Sequence, residues 1–292
     1  MAMSVNHSAP ARLALETTLL AHGVPRDAAL PMALTLDDIV RSFGAEPATI
    51  GVMRGESRIG MTADDLAAFL EQPHIAKANS ANLGALMHQQ HTCATTVSAT
   101  IELAAKAGIR VMATGGVGGV HRGHSLDVSA DLLAIARTPI AVVCSGCKTF
   151  LDVVATREAL ETLSVPVIGF RTDAFPAFYL RACDASVDAR FDDASDLAAF
   201  INIELERTGR GMVIANPIPE AHAIAPNQWS DWIAQAEDRA SRDEHQGRDV
   251  TPRVLSALHE LSGGATLRAN IELVKSNVAL GAELAVAIGA NA

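Results

Sequence analysis

The chain has 292 residues, 49% hydrophobic and 19% charged, with a formal net charge of −10. That is enough apolar material for one large α/β domain, while an acidic chain with 4% aromatic residues lacks the basic face a nucleic-acid partner would want. No apolar run approaches the roughly 18 residues of a membrane span, and Met1 to Arg12 carries no signal-peptide core, so no membrane partner is expected. The protein is expected to be cytoplasmic, with Cys93, Cys144, Cys147 and Cys183 reduced.

Apolar runs and helical patterns alternate along the chain. Residues 14–20 read as a strand, 26–43 as an amphipathic helix ending at Gly44, 48–53 as a strand, and 62–70 as a helix with Thr62 as N-cap. Residues 95–107 read as a small-residue helix closed by Gly108, and 111–114 as a strand entering a glycine-rich loop. A short helix at 130–136, a buried strand at 140–144, a helix at 149–163 and a strand at 165–170 follow. Then come a helix at 196–208, a strand at 212–215, a helix at 219–240, an exposed charged loop at 238–249, and closing helices at 251–261 and 267–288. This order predicts α/β; a three-layer α/β/α sandwich with a mainly parallel central sheet, in a single domain over 1–292.

Two neighbouring segments carry chemistry. In Thr114-Gly115-Gly116-Val117-Gly118-Gly119-Val120-His121-Arg122-Gly123, the glycines let the backbone approach a ligand, and successive N–H groups can nest an anion. A tight turn without a ligand explains them equally well, and the pattern is neither a dinucleotide fingerprint nor a Walker loop. In Asp127-Val128-Ser129-Ala130-Asp131, Ser129 is placed to cap a helix starting at Ala130, and Asp127 precedes it. A free carboxylate beside a phosphate suits a hard divalent cation, although plain capping accounts for the motif as well. Lys148 follows the buried strand 140–144, at the carboxyl end of a sheet, where open α/β folds bind ligands; an amine there is placed for imine chemistry. The bland alternative is a surface lysine opening a helix.

Glu16 lies inside the apolar run Leu13 to Leu20, where it either needs a partner or a function or takes a surface-facing alternate position, and Lys77 ends a second run. Cys144-x-x-Cys147 has no second ligand pair and reads as two buried small residues. His22, His121 and His124 lack metal-ligand spacing, and His22 reads as structural. An acid, an amine, an anion cradle and a metal-ready aspartate are together the parts that hold a sugar phosphate and do covalent chemistry at its carbonyl.

Taken in order, these pieces resemble the pseudouridine-5′-phosphate glycosidases, also called indigoidine synthase A-like proteins. The resemblance runs from about Leu13 to Leu284. It rests on Leu15-Glu16-Thr17-Thr18 with Ala21-His22-Gly23, on Ala94 to Thr100, on the glycine loop, on Asp127 to Leu132, on Thr172 to Tyr179, and on Ala215-Asn216-Pro217-Ile218-Pro219. It implies an α/β/α homotrimer that reversibly cleaves the C–C glycosidic bond of pseudouridine 5′-phosphate to uracil and ribose 5-phosphate, with Mn2+ or another divalent cation. Carried over by position, Lys148 resembles the imine-forming nucleophile, Glu16 the proton donor and Asp127 the metal ligand. Lys77, Val97, Ser129, Ala130 and Asp131 resemble substrate contacts, with Thr114, Gly115, Gly116 and His121 of the glycine loop beside them. The expected partner is thus a sugar phosphate or C-nucleotide. The chain departs from the family at Lys77-Ala78-Asn79-Ser80-Ala81-Asn82-Leu83, where Ser-Arg-Arg-Asp-Leu is expected after the lysine, and in a shorter loop between Gly123 and Asp127. The first departure motivates an alternative, a related C-glycosidase or C-glycoside synthase acting on another base or sugar. A sugar-phosphate-binding protein without catalysis is the reading from a different class.

Overall fold

The computed structural model describes residues 10–242, 257–258 and 260–290. Short runs of Ala, Val, Ile and Leu form a ten-stranded sheet. Its strands are β1 (Arg12–Glu16), β2 (Glu46–Met53), β3 (Glu56–Ile59), β4 (Ala76–Ala78), β5 (Cys93–Thr95), β6 (Val111–Ala113), β9 (Ala141–Cys144), β10 (Val167–Phe170), β11 (Ala189–Phe191) and β12 (Met212–Ala215). A separate ribbon pairs β7 (Val120–His121) with β8 (His124–Val128). The sheet order is β11-β10-β12-β9-β6-β1-β2-β5-β4, with β3 also on β2. Pairing is parallel except where β2 meets β3 and β5.

Side-chain alternation along each strand feeds two cores. Leu13, Leu15, Val111, Ala113, Ala141 and Val143 enter one, beneath α2 (Arg26–Ser42), α3 (Ala63–Leu70), α8 (Ala194–Thr208), α9 (Pro226–Arg242) and α10 (Ala265–Ala290). Ala14, Met112, Val142 and Cys144 enter the other, beneath α4 (Leu83–His88), α5 (Val97–Lys106), α6 (Ala130–Arg137) and α7 (Val153–Thr162). The architecture is therefore the expected three-layer sandwich.

Helix α10 is long and apolar enough, by length and composition, to cross a membrane. Its apolar residues instead pack on the sheet and on α8 and α2. At Gly281 the contact is so close that a Cβ would lie 2.9 Å from Leu13 Cδ1.

The structure divides several expected elements. The 14–20 strand stops at Glu16, and α1 (Thr18–His22) turns away from the sheet. The pivot is Thr17, whose hydroxyl donates to the Ile50 carbonyl at 2.9 Å and accepts the Thr95 N–H at 3.0 Å. The helix expected at 95–107 is α5 (Val97–Lys106), and Thr95 belongs to β5. The helix expected from 149 begins at Val153, where Asp152 accepts the Ala155 N–H at 2.9 Å. Lys148 is therefore in a connecting segment and not at a helix start. The 219–240 helix is a short turn at Glu220–His222 and then α9, which continues through the first part of the charged loop expected at 238–249. Residues 243–249, and most of the helix expected at 251–261, lie outside the described residues.

Candidate active site

Sheet register sets one level across five strands. Glu16 pairs with Ile50, and Leu15 pairs with Ala113, which puts Glu16 beside Thr114. Ala78 pairs with Thr95, one step on from the Gly51–Ala94 pair. Because β5 and β4 run antiparallel to β2, β1 and β6, Lys77 and the start of α5 reach this level from the opposite direction. The site forms where strand direction reverses.

Glu16 shares its face of β1 with Ala14 and is half-buried. The Thr114 hydroxyl donates to its Oε1. Loss of hydration raises its pKa; the Lys148 charge, the Thr114 bond and the Lys77 charge oppose this only in part, and Asp131 reinforces it. Glu16 thus holds a proton further up the pH scale than an ordinary glutamate. Lys77 is exposed, yet the surrounding protein lowers its pKa, with the neighbouring Lys148 second and Glu16 and Asp131 opposing. Lys148 is half-buried and linked to the glycine loop through its N–H, which donates to the Val117 carbonyl at 3.3 Å. Glu16, Lys77 and Lys148 are thus one electrostatic group.

Three amides of the glycine loop are bonded within the protein. The Val117 N–H donates to the Gly146 carbonyl at 3.0 Å, the Gly118 N–H to Asp131 Oδ2 at 2.9 Å, and the Val120 N–H to Thr156 Oγ1 at 3.0 Å. Close packing explains the glycines. A Cβ on Gly116 would lie 2.6 Å from Phe178, and one on Gly118 2.3 Å from Ser129 Oγ. Gly115 is likewise walled by Phe178 and Val274.

Asp131, whose Oδ2 takes the Gly118 N–H, also accepts the Ser98 N–H on Oδ1 at 2.9 Å. Asp131 thereby ties the first turns of α5 and α6 together, beside Val97 and Ala130. Ser129 caps α6 by accepting the Asp131 N–H at 3.2 Å. His121 is half-buried in β7, and Asp127 is exposed and forms no ion pair among the described residues. Burial pushes the Cys144 and Cys147 thiols up to about 12, keeping them protonated, as expected of packing residues.

Sequence reasoning did not find Asn277. Fully buried on α10, it donates to the Thr114 carbonyl at 2.8 Å and the Gly115 carbonyl at 3.3 Å. Its Oδ1 accepts from Asn216 at 2.9 Å, and it bonds Ser145. It pins the ends of β6, β9 and β12 from the face opposite Glu16. A polar residue at a buried position of an apolar helix was its one available signal. Gly146 has φ +75°, and a Cβ there would meet the Pro176 carbonyl oxygen. It shapes the turn that delivers Lys148. The segment that departs from the family closes on itself. Asn79 N–H donates to Asn82 Oδ1 at 2.8 Å, Ala81 N–H to Asn79 Oδ1 at 2.9 Å, and Asn82 Nδ2 to the Lys77 carbonyl at 3.1 Å.

Residues 3–287 match the family described as indigoidine synthase A like protein. The chain belongs to the indigoidine synthase A-like family. It is an enzyme of that family, and its curated relatives are named accordingly. It is 45% identical to pseudouridine-5′-phosphate glycosidase 2 of Rhizobium johnstonii, over 94% of this chain and 90% of that one. It is 42% identical to pseudouridine-5′-phosphate glycosidase of Symbiobacterium thermophilum, over 95% and 92%. Among solved structures, prealnumycin C-glycosynthase in complex with ribulose 5-phosphate matches with a TM-score of 0.89 at 34% identity, over 97% of this chain and 93% of that one. An indigoidine synthase A-like protein of Thermotoga maritima matches with a TM-score of 0.88 at 34% identity, over 98% and 95%.

Proposed function

We propose that this enzyme reversibly cleaves the C–C glycosidic bond of pseudouridine 5′-phosphate, giving uracil and ribose 5-phosphate through an imine on Lys148. The observation that carries the reading is the electrostatic grouping of Glu16, Lys77 and Lys148, with burial raising the Glu16 pKa and lowering that of Lys77. The names of the curated relatives supply the substrate.

The Lys148 amine, in its neutral form, attacks C1′; the C1′–O4′ bond breaks, and O4′ takes a proton. Glu16 then delivers its proton to C5 of the base. The C1′–C5 electron pair restores the C5=C6 double bond of free uracil while the lysine nitrogen lone pair closes the C1′=N bond. Water adds to the imine and releases ribose 5-phosphate and the amine. A C-glycoside has no leaving oxygen to protonate, so an acid matched to carbon and an amine matched to C1′ are both required. Lys77, Val97, Ser129, Ala130 and Asp131, with Thr114, Gly115, Gly116 and His121, line the substrate's path.

Asp127 is the residue proposed to hold Mn2+ or another divalent cation. No cluster of three or more His, Cys, Asp or Glu side chains is gathered for a metal among the described residues. Asp127 would bring one exposed, unpaired carboxylate, with water and substrate oxygens completing the shell, a donor set that hard cations accept. When bound, the cation supplies positive charge to a substrate oxygen. A cytoplasmic homotrimer is the proposed state, checked by sedimentation.

Similarity to a C-glycosynthase favours a second reading, synthesis on a different base or sugar. The deciding experiment is borohydride reduction with ribose 5-phosphate, followed by peptide mapping. An adduct on Lys148, absent from Lys148→Ala, is expected, with turnover falling on the order of a thousandfold or more in that variant. An adduct elsewhere, or undiminished turnover by Lys148→Ala, overturns the imine reading. Turnover confined to another C-glycoside selects the second.

A further inference from the structure

Lys148 lies between β9 and α7 and belongs to neither, so no helix or strand ladder fixes the backbone atom from which its side chain springs. Contacts with residues 117–122 take the place of a ladder. The Lys148 N–H donates to the Val117 carbonyl at 3.3 Å, and the Asp152 N–H donates to the Val120 carbonyl at 2.9 Å. Between these points the chain makes a tight turn, closed by the Leu151 N–H donating to the Lys148 carbonyl at 2.9 Å.

Two side chains grip this turn. The Thr149 hydroxyl donates to the Ala177 carbonyl at 3.0 Å. Arg122 Nε donates to the Leu151 carbonyl at 3.2 Å, and Arg122 Nη2 donates to the Thr149 carbonyl at 3.2 Å. A guanidinium is a planar fork, so one side chain spans both carbonyls, and its charge strengthens each bond; an ammonium is a point charge without a fork. Although exposed, Arg122 springs from a firm base. It directly follows β7, where the Val120 N–H donates to Thr156 Oγ1 and the Val120 carbonyl holds Asp152. The two carbonyls that Arg122 holds lie one and three residues beyond Lys148, within the turn that its own carbonyl closes.

We infer that Arg122 is a positioning residue for Lys148, clamping the turn at 148–151 so that the amine meets C1′ in a reactive geometry. The inference rests on the proposed imine at Lys148 and deepens it. Arg122 acts through the backbone, so its loss slows bond making and leaves substrate binding in place.

Steady-state kinetics with pseudouridine 5′-phosphate and the rate of borohydride trapping with ribose 5-phosphate test it. Arg122→Ala is expected to lower kcat and the trapping rate roughly a hundredfold, the scale of a reacting group displaced by about 1 Å, with KM within about twofold of the parent. Arg122→Lys, which keeps the charge but not the fork, is expected to stay near that low rate, and it supplies the same readout if alanine costs the fold. Added methylguanidinium is expected to restore part of the Arg122→Ala rate and none of the Lys148→Ala rate. Lys106→Gln, with the same change in net charge, is expected to turn over as the parent does. Because Thr149 and Arg122 grip one turn, Thr149→Val is expected to cost less kcat in the Arg122→Ala background than alone. A raised KM with kcat held would make Arg122 a substrate contact and overturn the inference. So would parental trapping by Arg122→Ala, full rescue by lysine, or independent losses in the double variant. The parent separates the two claims. A parent without a Lys148 adduct overturns the imine and the clamp together, whereas an adduct formed equally fast with and without Arg122 keeps the imine and sinks the clamp.

Discussion

At the residue scale, Glu16, the proposed proton donor, carries a cost in stability. A carboxyl whose folded pKa is raised binds its proton more tightly in the folded chain than in the unfolded one. Stability is therefore lost as pH rises from the ordinary glutamate value through the raised one. Glu16→Gln removes that loss. It is expected to melt a few degrees above the parent at neutral pH, with the gap closing toward pH 4, while turnover collapses; thermal scans across pH read this directly. A variant that melts lower at neutral pH would show that the carboxylate is better solvated than the half-buried position implies. The proton-donor role also has a signed pH dependence. Turnover falls as pH climbs through the raised Glu16 pKa, and a rate profile rising there would exclude Glu16 as the acid.

At the element scale, the connection after β9 delivers Lys148, the proposed nucleophile. Gly146 is left-handed and its Cα faces the Pro176 carbonyl, so Gly146→Ala must move backbone against backbone. The expected loss is about 3 kcal/mol, with Lys148 trapping lost before the fold is; chemical denaturation beside adduct mapping separates the two effects. The same scale shows why some elements were legible in the sequence. The α3 cap was readable, since Thr62 accepts the Asp65 N–H at 3.2 Å and Asp65 accepts the Thr62 N–H at 3.0 Å, both within one turn. The end of β1 was not, because the apolar run continues to Leu20 and what stops the strand is Thr17 bonding to Ile50 and Thr95, 33 and 78 residues away.

At the scale of the whole molecule, α10 is the beam on which one face of the sheet rests. Leu273, on its sheet-facing side, is fully buried. Leu273→Ala is expected to destabilise the protein by about 2–5 kcal/mol, read by denaturant unfolding. A loss near zero would mean that α10 is loosely held. The helix also explains how a chain with a segment apolar enough for a membrane needs none: its faces are taken by the sheet, α8 and α2.

Alternating apolar runs, the Thr62 cap and the ordered motifs around Glu16, Asp131 and Lys148 were enough by themselves to determine the layered α/β class and the family. These signals are local, carried by periodicity and by residue types at fixed spacing. Tertiary structure alone decided that the Gly118 N–H of the glycine loop bonds Asp131, that Asn277 secures Thr114 from the opposite face, and that β4, antiparallel to β1, brings Lys77 level with Glu16. Each of these depends on register and on polar partners distant in the chain, which side-chain pattern along one segment does not encode.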